Sequence, residues 1–276
     1  ITGDERDPDG FVLSESIHRH SGRSVINGVF AVGEVTGETD LFGVIRQARS
    51  AAVKARAWMM RVEQGDIKEA ISVAENCIRC LTCHRLCPHQ AFYVSAGSAR
   101  SALGVWGAAC RQCGICISEC PRTAVSEPGS WENGVDAFLK DLSLIRDLAP
   151  TVVYGCARSA GRAVAERPLP ENTAFHGVPC AGRVSEAMIW DTLRAGAVRV
   201  LVVGCHGGNC ESVHGTDMAR SRVKSVAEDI LEFSGFAGRV GYASCAAGES
   251  ARLWGIINKF GMEPSDTGSL LSWRRS

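Results

Sequence analysis

The 276-residue sequence lacks net charge: 30 Lys and Arg balance 30 Asp and Glu. A chain so balanced has no electrostatic basis for gripping nucleic acid or an acidic membrane surface, and the pair Arg274 and Arg275 reads as a solvated tail. Long apolar runs are missing too. The longest, "VRVLVVG", is far short of a membrane span, so any membrane association is expected only through partners. No signal peptide is visible. No Ser-His-Asp set or other nucleophile stands out, and no G-x-G-x-x-G follows a strand. The first residue is Ile1 rather than Met and the opening "ITGDERDPDGF" is turn-like, which suggests the later part of a longer polypeptide or a cleaved product. The length suits two or three compact units.

Cysteine, by contrast, is abundant, with 13 in the chain. In a small secreted domain that would point to disulfides. Here eight of them fall in two short runs, and gaps of two residues favour metal over disulfide and a reducing, cytoplasmic compartment. Cys77, Cys80, Cys83 and Cys87 followed by Pro88 match C-x2-C-x2-C-x3-C-P, and Cys110, Cys113, Cys116 and Cys120 followed by Pro121 match it again. Three cysteines at this spacing can wrap one face of an iron–sulfur cube while the fourth, carried away before the proline, ligates the other cube. The expected sets are Cys77, Cys80, Cys83 and Cys120 for one [4Fe-4S] cluster, and Cys110, Cys113, Cys116 and Cys87 for the second. The alternative is two structural zinc sites, but zinc has no use for a third cysteine at the same gap and a fourth before proline, twice. The stretch resembles a bacterial-type ferredoxin. His84 and His89 are expected at the surface, since no cysteine ligand is missing, and Arg79, Arg85 and Arg111 could raise a cluster's potential.

Upstream, "INGVFAVGEVTGETDLFGVIRQARSAAVKARAWMMRV" reads as a strand (Val29 to Val32), a turn at Gly33 and Glu34, and a helix from Leu41 to Val62. The residues alone fit an ordinary strand–helix pair. "GVFAVGE" leading into "QARSAAVKA" also resembles the carboxy-terminal FAD fingerprint of two-dinucleotide-binding flavoproteins, including pyridine nucleotide–disulfide oxidoreductases and the A subunit of heterodisulfide reductase. That resemblance implies FAD near Gly33 and Glu34, with the helix's amino end toward the cofactor. Glu34 stands where the disulfide oxidoreductases usually have Asp. The adenosine end of the FAD would be held by residues not on this chain.

After Pro128-Gly129, a linker and short helix precede alternating strand and helix patterns from Thr151 onward: "TVVYGC", "AFHGVPC", "VRVLVVGC" and "GRVGYASC" as strands, with helical stretches between them. Such alternation implies a parallel sheet covered by helices. Cys156, Cys180, Cys205 and Cys245 each fall at the carboxyl end of an expected strand, the edge where such sheets bind ligands. Cys210 follows in the loop "GCHGGNC". Five cysteines at one edge point to a metal or cluster site. His206 and His214 are read as caps of the loop or helix, able to tune a cluster by hydrogen bonding, and not as ligands.

"YGCARSAG" and "VPCAGRVSEAMIWDTLRAGAVRVLVVGCHGGNCESVHG" resemble the delta (D) subunit of the methyl-viologen-reducing hydrogenase family, an iron–sulfur protein that passes electrons to heterodisulfide reductase. The resemblance implies a [2Fe-2S] cluster on Cys156, Cys180, Cys205 and Cys210. A further family cysteine is Ser159 here, which keeps Cys245 in reserve.

The expected architecture is multidomain, α/β and α+β: a fragment of an FAD-binding domain (1–70), a double-[4Fe-4S] ferredoxin domain (71–130), a linker and helix (131–149), a delta-subunit-like parallel α/β domain (150–262) and a tail (263–276). Together these resemble the carboxy-terminal part of a heterodisulfide reductase's A subunit fused to a delta-like domain, as in the B subunit of quinone-modifying oxidoreductase complexes. The implied role is electron transfer inside such a complex, catalytic only as part of it. A hydrogenase, formate dehydrogenase or other redox partner would meet the delta-like domain. Two alternatives remain open: a stand-alone ferredoxin-type carrier without flavin, and a scaffold module with structural zinc in its carboxy-terminal domain.

Overall fold

The computed structural model describes residues 6–12, 14, 22–65, 71–95, 103–127, 130–144, 150–234 and 238–262. The first five residues of the turn-like opening, the end of the expected linker at 145–149 and the tail at 263–276 with Arg274 and Arg275 lie outside the described residues. The chain divides into two compact units, Ile1–Pro128 with Glu211–Val213, and Gly129–Cys210 with His214–Ser276. No helix among the described residues is long and apolar enough to cross a membrane.

In the first unit the expected strand at 29–32 is not a strand. Among the described residues it makes one bridge, Arg23 with Phe30. The turn at Asn27 and Gly28 (φ 85°) folds the run straight back on itself, with Ala31 N–H donating to the Gly22 carbonyl and Ser24 N–H to that of Val29. Too few residues face each other for a ladder to grow. The turn at Gly33–Thr36 follows and leads to helix α1, Leu41–Glu63. Asp40 caps α1 by accepting from Gly43 N–H at 2.8 Å, satisfying one of the orphan amides of the first turn. Its buried residues are only Gly43 and Ala51, while Phe42 and Val53 are 80% and 71% exposed.

The cysteine runs hold four very short strands: β1 (Ser72–Val73), β2 (Phe92–Val94), β3 (Leu103–Val105) and β4 (Val125–Ser126). β1 pairs with β4 and β2 with β3, both antiparallel. The outermost strands therefore meet, as do the inner two, which brings the two cysteine runs together. Short helices α2 (Thr82–Leu86) and α3 (Ile115–Ser118) occupy the same place in each run. The core here is small: Cys83, Phe92, Cys116 and Val125 are buried, with Ile71, Val73, Leu103, Val105 and Ile117 packed around them.

The second unit opens with α4 (Ser130–Leu144) and then alternates as the pattern predicts. Strands β5 (Thr151–Cys156), β6 (Thr173–Val178), β7 (Arg199–Gly204) and β8 (Val240–Ser244) form one parallel sheet in the order β6-β5-β7-β8. The central strands are continuous apolar runs because both faces are covered: Val152, Val153, Tyr154, Val200, Val202 and Val203 have no exposed surface. Helices α4, α6 (Glu186–Arg194) and α7 (Gly215–Ser234) cover one face through residues such as Leu142, Ile189 and Val226. Helices α5 (Ala160–Ala163) and α8 (Ser250–Met262) cover the other through Ala160, Leu253 and Ile257. The connection leaves β5 toward β6 and then crosses back to β7, so the direction of winding reverses between β5 and β7.

Candidate metal centres

In the first unit the predicted ligands of the first cube line one recess. Cys77, Cys80, Cys83 and Cys120 line it together with Ile78, Leu81, Leu103 and Val125. Cys83 is pushed up to about 11 by burial, and by negative charge at Cys120, Cys77 and Cys80. The other set is deeper. Burial, together with charge at Cys113 and Cys87, pushes Cys110 up to about 12, and Cys116 is raised by burial and then by Cys113, Cys87 and Cys110. Cys120 thus lies with the earlier cysteines of the first run, and Cys87 is close enough to Cys110 and Cys116 to bear on both. Cys80 is the exposed thiol of the eight, and the hydroxyl of Thr82 draws it down by hydrogen bonding.

The backbone repeats from run to run. Positive φ occurs at Arg79 (55°) and Gln112 (54°), at Leu81 (59°) and Gly114 (77°), and at Gln90 (49°) and Thr123 (47°). These turns aim amides at sulfur. Arg79 N–H donates to Cys77 Sγ and Gln112 N–H to Cys110 Sγ, both at 3.4 Å. Ala91 N–H reaches Cys87 Sγ at 3.4 Å and Ala124 N–H reaches Cys120 Sγ at 3.2 Å. Amides facing two thiols of each expected set fit a group carrying negative charge on sulfur. Among the described residues, no three His, Cys, Asp or Glu side chains converge tightly enough for a single metal ion. A multi-iron cluster, being larger than an ion, holds its ligands farther apart.

Two neighbours differ from expectation or refine it. His84 is exposed, but His89 is 1% exposed and its Nδ1 donates to the Val25 carbonyl at 2.8 Å. With Asn27 Nδ2 on the Ala108 carbonyl at 2.7 Å, it fastens the 22–30 loop to the cysteine runs. A histidine that ties two segments together has a reason to be buried that its own segment does not display. Arg85 donates to the Cys80 carbonyl at 3.0 Å, which places a cation beside the first set; Arg79 is exposed and Arg111 half-buried.

In the second unit all five cysteines lie at the carboxyl edge of the sheet. Cys156 ends β5, Cys205 directly follows β7, and their Sγ atoms are 3.9 Å apart. They meet where the winding reverses, the point at which open parallel sheets take ligands. Cys205 is pushed up by contact with Cys156 and Cys210, and Cys156 is drawn down by the Cys205 thiol. Cys180 is buried beyond the end of β6, ahead of the tight turn Ala181–Arg183. Arg222 of α7 holds that turn, donating to the carbonyls of Gly182 and Val184 at 2.7 and 2.8 Å. Thr216, also of α7, donates to the Cys205 carbonyl at 3.3 Å.

Cys156 and Cys205 pack on the sheet face covered by α4, α6 and α7, whereas Cys245 packs on the opposite face. Its Sγ donates to the Ala246 carbonyl at 3.1 Å, and burial raises it to about 11. The His206 carbonyl accepts from Asn209 N–H in its loop, while its ring Nε2 lies 2.7 Å from Glu249 Oε2, and Arg252 joins the pair. The Ala246 amide and His206 together hold Glu249 down to about 2. His214 stands just before α7 and its carbonyl accepts from Met218 N–H, the place of a cap.

The Gly33–Glu34 turn is stapled by a residue the sequence did not single out. Gln47 Oε1 accepts from Gly33 N–H at 2.9 Å and lies 3.1 Å from Thr36 Oγ1. Gly33 is buried and Glu34 exposed.

Residues 151–263 match the family model of the methyl-viologen-reducing hydrogenase, delta subunit. Over nearly its whole length the chain is similar to the A subunits of two CoB-CoM heterodisulfide reductases, the ferredoxin/F(420)H(2)-dependent enzyme of Methanosarcina acetivorans and the ferredoxin:CoB-CoM enzyme of Methanosarcina mazei. Each is 25% identical over 275 residues, covering 96% of this chain and 34% of the relative. The chain spans about a third of the length of these curated relatives. Both likenesses read from the sequence, to the hydrogenase delta family and to the A subunit of heterodisulfide reductase, are found in these comparisons.

Proposed function

We propose that the chain is an electron-transfer subunit of a heterodisulfide reductase-like oxidoreductase complex, working in the cytoplasm between a redox partner at the delta-like domain and a flavin. The observation that carries this reading is the gathering of the predicted ligands: Cys77, Cys80, Cys83 and Cys120 share one recess, and Cys156 and Cys205 meet at the sheet's switch point. In this reading residues 1–70 contribute half of an FAD site through Gly33 and Glu34, 71–130 form a double-cube ferredoxin domain, and 150–262 hold a [2Fe-2S] cluster on Cys156, Cys180, Cys205 and Cys210. When bound, the clusters supply one-electron storage and the flavin exchanges one or two electrons. The chain's own part is to supply thiolates, aim amides at them and exclude water from the second set.

The test is iron, acid-labile sulfide and flavin per chain, on protein purified without oxygen. About ten irons are expected, eight for two cubes and two for the smaller cluster. Cys205→Ala should lose about two of them, and Cys245→Ala should lose none. About eight irons in the parent chain would overturn the carboxy-terminal assignment. One observation favours a second reading there: the Cys156–Cys205 spacing of 3.9 Å also suits two thiolates on one zinc ion, whose ~2.3 Å bonds set ligand sulfurs about 3.8 Å apart. Zinc in the purified protein would select it.

A further inference from the structure

On β8, Tyr242 stands in register with Val202 of β7, and Ser244 with Gly204. The Tyr242 side chain packs on the same sheet face as Cys156 and Cys205. Its hydroxyl lies over Gly204, the residue before Cys205: a β-carbon there would fall 2.4 Å from Tyr242 Oη. Glycine is therefore what admits the phenol to the cysteine edge. The guanidinium of Arg220 lies 5.4 Å from the ring centroid and steadies it. Tyr242 Oη is buried, and among the described residues no atom meets it in full hydrogen-bonding geometry. The Thr216 hydroxyl is near enough to draw the phenol's pKa down, but its own hydrogen is directed at the Cys205 carbonyl. A buried phenol so placed has a reason to be explained.

We propose that Tyr242 is a positioning residue of the carboxy-terminal metal centre, donating its phenolic hydrogen to the sulfur side of the site formed by Cys156, Cys180, Cys205 and Cys210. The inference rests on the reading that these four cysteines hold a cluster. A phenol keeps its proton at neutral pH, so the hydroxyl is available as a donor. Hydrogen bonds to sulfur favour the reduced, more negative form and raise the potential.

Tyr242→Phe keeps the ring, its packing and its contact with Arg220, and removes only the hydroxyl. The experiment is a redox titration of the whole chain followed by electron paramagnetic resonance, with iron content and thermal stability measured on the same samples. The expected result is an unchanged iron count, an unchanged melting temperature and a lower midpoint potential. The reduced-to-oxidised ratio at fixed potential should fall about tenfold, which for one electron is about 59 mV. Gly204→Ala, which pushes the hydroxyl away while leaving it on the chain, should lower the potential in the same direction. An unchanged potential in Tyr242→Phe, with the small-cluster signal present, would overturn the role of Tyr242 alone. If the parent chain shows no signal that Cys205→Ala abolishes, the metal-centre reading falls and this inference with it.

Discussion

Gly114 opens α3 at φ 77° and ψ 2°, and its counterpart in the first cysteine run, Leu81, takes φ 59° and ψ 16° before α2. The same backbone is thus held by glycine in one run and by a β-carbon-bearing residue in the other. A side chain in the left-handed region costs roughly 1–2 kcal/mol. Gly114→Ala adds that strain, offset by about 0.5–1 kcal/mol because alanine has less conformational freedom to lose on folding. The net destabilisation is about 1 kcal/mol. Leu81→Gly runs the other way: it relieves the strain, restores the glycine entropy term and forfeits about half the ~1.5–3 kcal/mol of a buried leucine, because Leu81 is half-buried. Its net effect is within about 1 kcal/mol of zero. The assay is the rate at which the charge-transfer absorption bleaches in a fixed concentration of guanidinium, without oxygen, since the strain is released when the loop opens. Gly114→Ala should bleach about fivefold faster than the parent, and Leu81→Gly at a similar rate to it. Equal rates for Gly114→Ala and the parent, or much faster bleaching of Leu81→Gly, would refute the idea that these loops store left-handed strain ahead of α2 and α3.

Gln47→Leu leaves the buried Gly33 amide without its acceptor, at about 1–3 kcal/mol; hydrogen exchange should show loss of protection at Gly33, and flavin retention should weaken. Arg222→Met removes a cation that holds two buried carbonyls after Cys180, so thermal unfolding should report a loss of about 3 kcal/mol in the second unit; a change below about 0.5 kcal/mol would show that the Ala181–Arg183 turn needs no such anchor. Chelating the iron should abolish hydrogen-exchange protection in the cysteine runs while leaving β5, β7 and β8 protected, and equal loss in both regions would contradict the contrast in their cores.

The second unit was legible because its signal is redundant. A strand buried on both faces must be apolar at every position, as in Val200 to Val203, and its end is marked by the first residue that breaks the run, here Gly204-Cys205. Placing the cysteines at strand ends therefore followed from hydrophobicity alone. The first unit hides its structure in ways a sequence does not print. β1 and β4 are two residues long, too short for any alternation. Arg79 and Gln112 adopt positive φ without being glycine, their amides turned to Cys77 and Cys110 sulfur, and the residue type alone does not show it. "GVFAV" has the composition of a strand but, among the described residues, makes one bridge. Many of α1's large apolar residues face outward, so apolar composition gave the helix without giving its packed side. Tyr242 reads as an ordinary strand aromatic, and only its pairing with Val202 lays its hydroxyl over Gly204, the residue before Cys205.

The two units answer the same problem, how to hold several thiols close together, by opposite physical routes. Thiolates brought together repel, and burial makes each harder to ionise, as the raised values at Cys83 and Cys110 show. In the second unit a parallel sheet with apolar layers on both faces supplies stability independently of the site. The cysteines are then carried passively at strand ends, and their spacing is set by the hydrogen-bonded register of β5 against β7. In the first unit the cluster between the cysteine runs buries Cys83, Phe92, Cys116 and Val125, and Ala91, Ile115 and Ala124 are buried nearby in the sequence. Two of that cluster's four members are cysteines, so in the proposed reading a group bound to sulfur would extend this small core and couple ligation to folding. The paired runs make this possible. In the proposed pairing the fourth cysteine of each run serves the other's set, so neither loop could open without loosening both.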